Sequence, residues 1–319
     1  MVGVAIVGVG GWGQNHARVL GFLRAEGLID NVYVVDINES RAKLIAKRFG
    51  HEWTTDYESV LVSDKVDGVI LATPTKLHYE QAKQALDHGK HVLVEKPLTE
   101  SAKQAFDLVK TALEQKLILM VGFLLRYSPA TQFVKTNIDK LGKPLVVSAK
   151  RTSLWPNRPH DVGVVRDLAI HDIDLIRYIF EADPIIAYAR GGAVSHEYED
   201  HVAIFLEYAA GRETLHALIE ANWLTPFKIR RMEITGSNAV FIIDYDLHKV
   251  TILSEDGIFV PKITYREPLL EQDKNFVRAI LGEEKPAVTG MDGLIALRTC
   301  EAILKAMNTG KATKISYEQ

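Results

Sequence analysis

Asp167 and His171 are the two residues of this chain whose types and spacing most directly suggest acid–base chemistry. They lie four positions apart in the segment DLAIHDIDL, and on a helix this spacing brings two side chains to the same face. A carboxylate beside an imidazole can fix the tautomer of the ring and raise its basicity. Asp174, three positions beyond His171, could share that face. The pattern indicates a general base, although helices with simply solvated or structurally paired polar residues look the same.

Lys96 stands at the end of HVLVEKP, an apolar segment that is typical of a buried strand. In an open α/β sheet, ligands bind outside the carboxyl ends of the strands, so Lys96 is placed to face a cofactor and a substrate. The proline that follows can fix a sharp turn, including one with a cis peptide bond. Taken alone, Glu-Lys-Pro is better explained by a lysine that faces solvent at the end of a strand.

The N-terminus carries the pattern of a dinucleotide-binding loop. The apolar run VAIV leads into Gly8, Gly10 and Gly13 with GxGxxG spacing, and a helix-like stretch follows. Glycine is needed where the chain turns tightly, where backbone approaches a pyrophosphate and where the helix meets the strand. The helix N-terminus then offers N–H groups to the phosphates. A glycine-rich turn of an ordinary α/β domain is the alternative.

Asp36 closes the next apolar run, VYVVD. A carboxylate at this point can accept hydrogen bonds from the ribose 2′-hydroxyl and would repel a 2′-phosphate. We therefore predict NAD as the cofactor. NADP stays open as the less favoured alternative, because Arg41 lies close by in the sequence.

The order of strand-like and helix-like segments predicts two domains, an α/β domain followed by an α+β domain. Residues 1–122 alternate the two kinds of segment, which is typical of a Rossmann domain with a parallel sheet. Residues 123–319 predict a substrate-binding and oligomerisation domain on a mainly antiparallel, open sheet, with helices over 129–142, 166–180, 271–282 and 291–310. An open sheet face needs covering, so we expect a homodimer or homotetramer.

Composition excludes several classes of function. The 319 residues include 47% hydrophobic and 25% charged residues, and the net charge of −3 gives no reason to expect nucleic acid or an anionic membrane as a partner. Cys300, the single cysteine, rules out an intrachain disulfide and reads as a packed thiol on a helix. With no signal-peptide pattern and no apolar stretch long enough for a bilayer, we expect a cytoplasmic protein.

Taken together, GVGGWG, EKP and DLAIHDIDL, in this order, resemble the Gfo/Idh/MocA family of oxidoreductases. The resemblance covers essentially the whole chain, and ATPTKLHYEQAKQAL, RYSP at 126–129 and the closing helices fit it as well. It implies that Lys96, Asp167 and His171 form the catalytic group. The implied cofactor-binding residues are Gly8, Gly10, Gly11, Trp12, Gly13, Asp36, Ile37, Thr73, Pro74, His78, Glu95 and Lys96. Within this set, Glu95 is expected beside the nicotinamide ribose and Trp12 on the phosphate or adenosine side.

These residue types suit the oxidation of a secondary alcohol, in which a proton leaves the hydroxyl while a hydride leaves the carbon. Our hypothesis is that His171 takes the proton and Lys96 stabilises the negative charge that develops on the oxygen. Asp167 would orient both groups.

The segment RTSLWPNRPHDVGVVRD leads into the catalytic helix and is expected to border the substrate pocket. Its tryptophan offers a stacking surface, and its three arginines, Arg151, Arg158 and Arg166, offer paired donors for phosphate or carboxylate. The predicted substrate-binding residues are Arg126, Tyr127, Trp155, Arg158 and His171.

The predicted substrate is a sugar or nucleotide sugar, in particular C3 of a nucleotide-linked amino sugar such as UDP-N-acetylglucosamine. An inositol or free-sugar dehydrogenase of the same family is one alternative, and a non-catalytic NAD(P)-sensing protein is another. The run HEYEDH at 196–201 matches no zinc spacing, so we predict no metal.

Overall fold

The computed structural model describes residues 2–155, 161–210 and 213–317. By compactness the chain divides into two units. The first comprises the chain up to Leu124 together with Glu267–Leu294, and the second comprises Leu125–Arg266 together with the chain from Ile295 onward. The domain boundary at residue 122 stays a prediction, but no sequence pattern indicated that Glu267–Leu294 would join the first unit.

The α-helices are α1 (Gly13–Ala25), α2 (Glu39–Phe49), α3 (Tyr57–Leu61), α4 (Thr75–Asp87), α5 (Ala102–Glu114), α6 (Pro129–Thr136), α7 (Ile170–Phe180), α8 (Pro268–Ile280) and α9 (Gly290–Thr309). Short 3₁₀ segments span Leu124–Tyr127 and Ile138–Leu141, and a π-helical turn spans Val165–Ala169.

The strands are β1 (Val2–Val7), β2 (Ile29–Val35), β3 (Glu52–Thr54), β4 (Gly68–Leu71), β5 (His91–Val94), β6 (Leu119–Val121), β7 (Pro144–Leu154), β8 (Asp183–Gly192), β9 (His201–Ala210), β10 (Glu213–Asn222), β11 (Leu224–Gly236), β12 (Ala239–Asp244), β13 (Lys249–Ser254), β14 (Gly257–Phe259) and β15 (Thr313–Lys314).

A parallel sheet in the order β3-β2-β1-β4-β5-β6 forms the centre of the first unit. This is the strand order of a doubly wound Rossmann fold, and the order reverses between β1 and β4. Both of these strands are buried along their whole length, as expected for a parallel sheet covered on both faces. The predicted Rossmann fold is confirmed, and the carboxyl ends of its strands lead into Gly8, Asp36 and Glu95.

Helix α8 belongs to the first unit and packs against α1. Its Phe276 is fully buried. Gly68, at the start of β4, permits this approach, because a Cβ there would lie 2.7 Å from Cδ1 of Ile280 and 3.1 Å from the ring of Phe276. A segment about 200 residues further along the chain thereby completes the core of the Rossmann unit.

The second unit contains a sheet in the order β14-β13-β12-β11-β7-β10-β9-β8-β15. Its pairs are antiparallel except for β7 with β10, which confirms the prediction of a mainly antiparallel sheet. Side chains alternate between a buried face and an open one, as in β9, where Ile204 and Leu206 are buried and Phe205 is half-buried. The open face is mixed, with apolar Tyr188 and Leu218 exposed beside polar residues.

Two helix predictions in the second unit were wrong in their bounds. The helix predicted over 129–142 ends at Thr136, where Asn137 turns its side-chain amide back to donate to the Phe133 carbonyl oxygen at 2.9 Å. Asparagine side chains compete in this way for backbone groups that a helix would use. The helix predicted over 166–180 begins instead as the π-helical turn, and α7 starts only at Ile170.

Candidate active site

The glycine-rich loop has the geometry that the sequence predicts. Gly8 adopts a positive φ of 82°, and its N–H donates to the Val35 carbonyl oxygen at 2.8 Å. Gly13 begins α1 so close to this turn that a Cβ would lie 1.8 Å from the Gly8 carbonyl oxygen. At Gly10 and Gly11, in contrast, a Cβ would meet no protein atom within 4 Å. Gly8 and Gly13 therefore form the tight turn of the loop. Gly10 and Gly11 leave the backbone uncovered on the side where a pyrophosphate would approach.

Asp36 is buried directly after β2 and its carboxylate is held from several directions. It accepts backbone N–H bonds from Val9 at 3.0 Å and Asn38 at 2.9 Å. Arg41 adds a two-pronged ion pair, with Nε and one terminal nitrogen at 2.9 and 2.8 Å. Burial alone would raise the pKa of Asp36, but the hydrogen bonds from Arg41 and the backbone lower it. Ile37 beside it is 93% exposed.

A histidine bridge links the loops that follow β4 and β5. The two ring nitrogens of His78 each lie 2.9 Å from a carbonyl oxygen, one of Pro97 and the other of Thr73. The hydroxyl of Thr73 donates to the Gln81 side chain at 2.6 Å, and Pro74 precedes α4 at its N-cap position. Thr73, Pro74 and His78 thus lie together beside the Glu-Lys-Pro turn.

Glu95 is a buried carboxylate at the carboxyl end of β5, with 8% of the residue exposed. The indole N–H of Trp12 donates to its Oε1 at 2.9 Å, and the backbone N–H of Lys96 donates to its Oε2 at 3.2 Å. The Lys96–Pro97 peptide bond is cis, as anticipated, and Lys96 is half-buried. Gly122 lies against the carboxylate, since a Cβ there would be 2.7 Å from Oε1.

Sequence reasoning missed His16 and Asp273, which complete this cluster. The His16 ring is fully buried, with Nε2 at 3.1 Å from Glu95 Oε1 and Nδ1 at 2.9 Å from Asp273 Oδ2. Burial alone would lower the pKa of His16, but the two carboxylates raise it to about 10. The one signal in the sequence was the position of His16, three residues after the last loop glycine. Asp273 carries no local signal, because it comes from α8.

The second unit carries Asp167 and His171 at the junction of two helix types. Asp167 is buried within the π-helical turn, and His171 is half-buried in the first turn of α7. Single π turns within helices occur frequently at functional sites. The acids that follow, Asp172 and Asp174, are both buried in ion pairs.

These ion pairs involve Arg126, a predicted substrate-binding residue, and Arg151, one of the three arginines that the sequence analysis considered as donors for phosphate or carboxylate. Arg151 makes a two-pronged pair with Asp172 at 2.9 and 2.8 Å. Arg126 does the same with Asp174 at 2.9 and 2.5 Å. Both arginines are nearly fully buried, so both have a structural role. A substrate contact by Arg126 stays a prediction.

The remaining predicted substrate residues are placed as follows. Trp155 is half-buried, with the ring of His196 stacked on it at a centroid distance of 3.2 Å. Trp223 meets it edge-on at 4.8 Å. Tyr127 ends a 3₁₀ segment, and Arg158 lies outside the described residues.

His201 and Cys300 were the remaining candidates from the sequence. His201 binds Asp200 at 3.0 Å, and over residues 2–155, 161–210 and 213–317 no group of three or more ligand-type side chains is arranged for a metal. Cys300 is fully buried and burial raises the pKa of its thiol to about 12, which confirms a packed thiol. Within the described ranges, no helix is long and apolar enough to cross a membrane.

Comparison with known proteins decides the family. A model of the oxidoreductase family with an NAD-binding Rossmann fold, Gfo/Idh/MocA, matches residues 2–123, and that family's C-terminal alpha/beta domain matches residues 135–315. The chain belongs to the Gfo/Idh/MocA family. It is therefore an oxidoreductase, and its cofactor is NAD, for which the open Gly10–Gly11 backbone and the buried Asp36 provide fitting surroundings.

Two Gfo/Idh/MocA relatives are similar over nearly their whole length. A scyllo-inositol 2-dehydrogenase (NAD(+)) of Bacillus subtilis is 28% identical, over 99% of this chain and 96% of the relative. A UDP-N-acetylglucosamine 3-dehydrogenase of Acidithiobacillus ferrooxidans is 26% identical over 90% and 91%. A solved structure of the latter superposes with a TM-score of 0.86 at 25% identity, covering 96% of this chain and 97% of the other.

The glycine loop predicts that stability and cofactor binding can be separated. Gly10→Ala should leave the free energy of unfolding within about 0.5 kcal/mol of wild type, because its Cβ meets no protein atom within 4 Å. It should weaken NAD binding at least about tenfold, since the methyl group occupies the pyrophosphate side. Gly13→Ala should instead destabilise by about 1–3 kcal/mol. Thermal unfolding and NAD titration calorimetry measure both effects, and equal NAD affinity in Gly10→Ala and wild type would contradict the assignment.

The Asp36–Arg41 pair predicts cofactor preference. Arg41→Ala should raise the ratio of NAD to NADP affinity at least about tenfold, because a hydrogen bond from a charged group is worth about 1.5–3 kcal/mol to a 2′-phosphate. NAD affinity should stay the same or improve, since Asp36 no longer shares its lone pairs with the guanidinium. Arg48→Ala on the same helix is the matched control. An unchanged ratio in Arg41→Ala would show that Arg41 does not reach the cofactor.

Proposed function

We propose that this protein is an NAD-dependent dehydrogenase that oxidises a secondary hydroxyl of a sugar or polyol. We further propose that the substrate is a nucleotide-linked amino sugar such as UDP-N-acetylglucosamine, oxidised at C3. The observation that supports the finer assignment is the similarity, in sequence and in structure, to a UDP-N-acetylglucosamine 3-dehydrogenase over nearly the full length of both chains.

The catalytic roles follow from the chemistry of three side chains. His171 accepts the hydroxyl proton as general base, and Asp167 orients the imidazole. The ammonium group of Lys96 donates to the substrate oxygen and stabilises its developing negative charge. When bound, NAD accepts the hydride from the substrate carbon.

Trp155 and the segment that follows it supply the proposed contacts to the nucleotide. The indole of Trp155 is half-buried and stacks on the ring of His196, and it is the aromatic side chain that we propose for stacking on the base. Arg158 and Tyr127 are the proposed polar contacts. The guanidinium of Arg126 is paired with Asp174.

A second candidate is an inositol dehydrogenase. It is favoured by the similarity to the scyllo-inositol 2-dehydrogenase, which covers 99% of this chain at 28% identity. A non-catalytic NAD-sensing role is disfavoured because Lys96, Asp167 and His171 are all present.

We also propose that the protein is a cytoplasmic homodimer or homotetramer. The open face of the second sheet, with exposed Tyr188 and Leu218, supports association between copies. Light scattering that shows only monomers would contradict this.

A substrate panel with NAD tests the proposed function. UDP-N-acetylglucosamine should reduce NAD with a kcat/KM about ten- to a hundredfold higher than free N-acetylglucosamine, because one charge-assisted contact to the diphosphate is worth about 1.5–3 kcal/mol. scyllo-Inositol and myo-inositol complete the panel, with the absorbance of reduced nicotinamide as the measurement. Turnover of an inositol but not of any UDP-sugar would select the second candidate. No turnover with any alcohol would favour the sensing role.

The catalytic assignment predicts a loss of turnover without a loss of cofactor binding. Lys96→Ala and His171→Ala should each lower kcat by about 10²–10⁴-fold with the active substrate, the range for a general acid or base. NAD affinity should remain nearly unchanged in both. Lys103→Ala, an exposed lysine on α5, is the matched control. Near wild-type kcat in both variants would remove these residues from the mechanism.

A further inference from the structure

The first unit contains a buried charge cluster that none of the catalytic roles uses. His16, Glu95 and Asp273 come from α1, the end of β5 and α8. Their exposed fractions are 0%, 8% and 0%. Both ring nitrogens of His16 face carboxylate oxygens, at 3.1 and 2.9 Å, so that both can donate when the ring is an imidazolium.

We propose that His16 is a positioning residue of the NAD site, which in its protonated form fixes the carboxylate of Glu95. Glu95 in turn holds two parts of that site. Its Oε1 accepts the indole N–H of Trp12, inside the glycine-rich loop, and its Oε2 accepts the backbone N–H of Lys96. One carboxylate therefore links the loop after β1 to the turn after β5.

Asp273 favours the protonated form of the His16 ring. Both of its oxygens lie within hydrogen-bond distance of His16 Nδ1, at 3.1 and 2.9 Å, and the side chain of Gln272 donates to it at 3.4 Å. The charged groups that act on the ring are Asp273 and Glu95, while the charge of Lys96 acts on Glu95. If the ring loses one proton, His16 keeps a single N–H to donate to the two buried carboxylates. Glu95 would then lose its fixed position.

The stabilisation that protonated His16 provides decreases as the pH rises. The pKa of His16 is raised to about 10 from an ordinary value of 6.5. The stabilisation from the imidazolium is complete below pH 6.5 and is lost as the pH rises through about 10. With one carboxylate partner removed, the pKa of His16 would be lower, and the stabilisation would be lost nearer to neutral pH.

Asp273→Asn tests the proposal with a readout that a purely structural role would not move. The variant removes one of two opposite charges, each of which shifts a neighbouring pKa by about 1–3 units, so the pH at which NAD affinity falls should drop by about that amount. Above the lowered pKa, affinity should fall about tenfold per pH unit. The measurement is NAD titration calorimetry at intervals from pH 6 to pH 10. Glu271→Gln, which removes a negative charge from the same helix, is the matched control and should keep the wild-type profile.

A second measurement needs no variant. In ¹⁵N-histidine-labelled protein, the His16 ring should remain an imidazolium at pH 8, where an ordinary histidine is neutral. A His16 resonance that titrates near pH 6.5, or an Asp273→Asn variant that is destabilised with no shift in the pH profile of NAD affinity, would overturn the proposal.

The inference rests on the proposed function only in that NAD binding serves turnover. Both readouts omit the alcohol substrate, so a wrong substrate leaves them unaffected.

Discussion

A carboxylate buried at the carboxyl end of a parallel strand is the constraint on which the first unit depends. An ionised carboxylate out of water costs several kcal/mol unless charge and hydrogen bonds compensate it. Glu95 receives donors from Trp12, His16 and the Lys96 backbone. Burial would raise its pKa, but the hydrogen bond and charge of His16 lower it, so the group stays ionised. Compensation therefore requires that the glycine loop, α1 and the Glu-Lys-Pro turn keep one mutual arrangement.

The chain returns to its first unit with α8, which brings a second carboxylate to the ring of His16. The His16 ring contacts Glu95 through Nε2. Asp273 places a second carboxylate on the opposite side of the ring, at Nδ1. Helix α8 brings this carboxylate from 257 positions away and packs Phe276 against β4 at Gly68. Apolar packing and the contact of Asp273 with His16 thus use the same helix. A Rossmann unit that ended at residue 122 would lack both.

A feature of this molecule can be predicted from the sequence where neighbouring residues carry the pattern, and cannot where it depends on contacts between distant residues. The glycine loop, Asp36 and the strands predicted from VAIV, VYVVD and HVLVEKP are carried by local patterns, and the structure has them where they were expected. Strand β3 and helix α3 span three and five residues, too few for a period to show. Asp273 and the Arg41–Asp36 pairing depend on tertiary contact or side-chain direction, which a single sequence does not encode locally. The π-helical turn inserts one residue into an otherwise regular helical pattern, and periodicity cannot register a single insertion.

The acids of DLAIHDIDL divide into two roles once their partners are known. Asp172 and Asp174 are two positions apart, and side chains at that spacing lie about 200° apart around a helix. Arg151 on β7 and Arg126 in a 3₁₀ segment therefore hold α7 from two sides. Breaking one buried pair leaves an uncompensated charge, at a cost of about 3–5 kcal/mol. His171 directly precedes Asp172, so the two ion pairs fix the rotation and the axial position of the turn that carries it. Two of the three carboxylates in the motif thus hold the helix, whereas the third, Asp167, forms the proposed catalytic pair with His171.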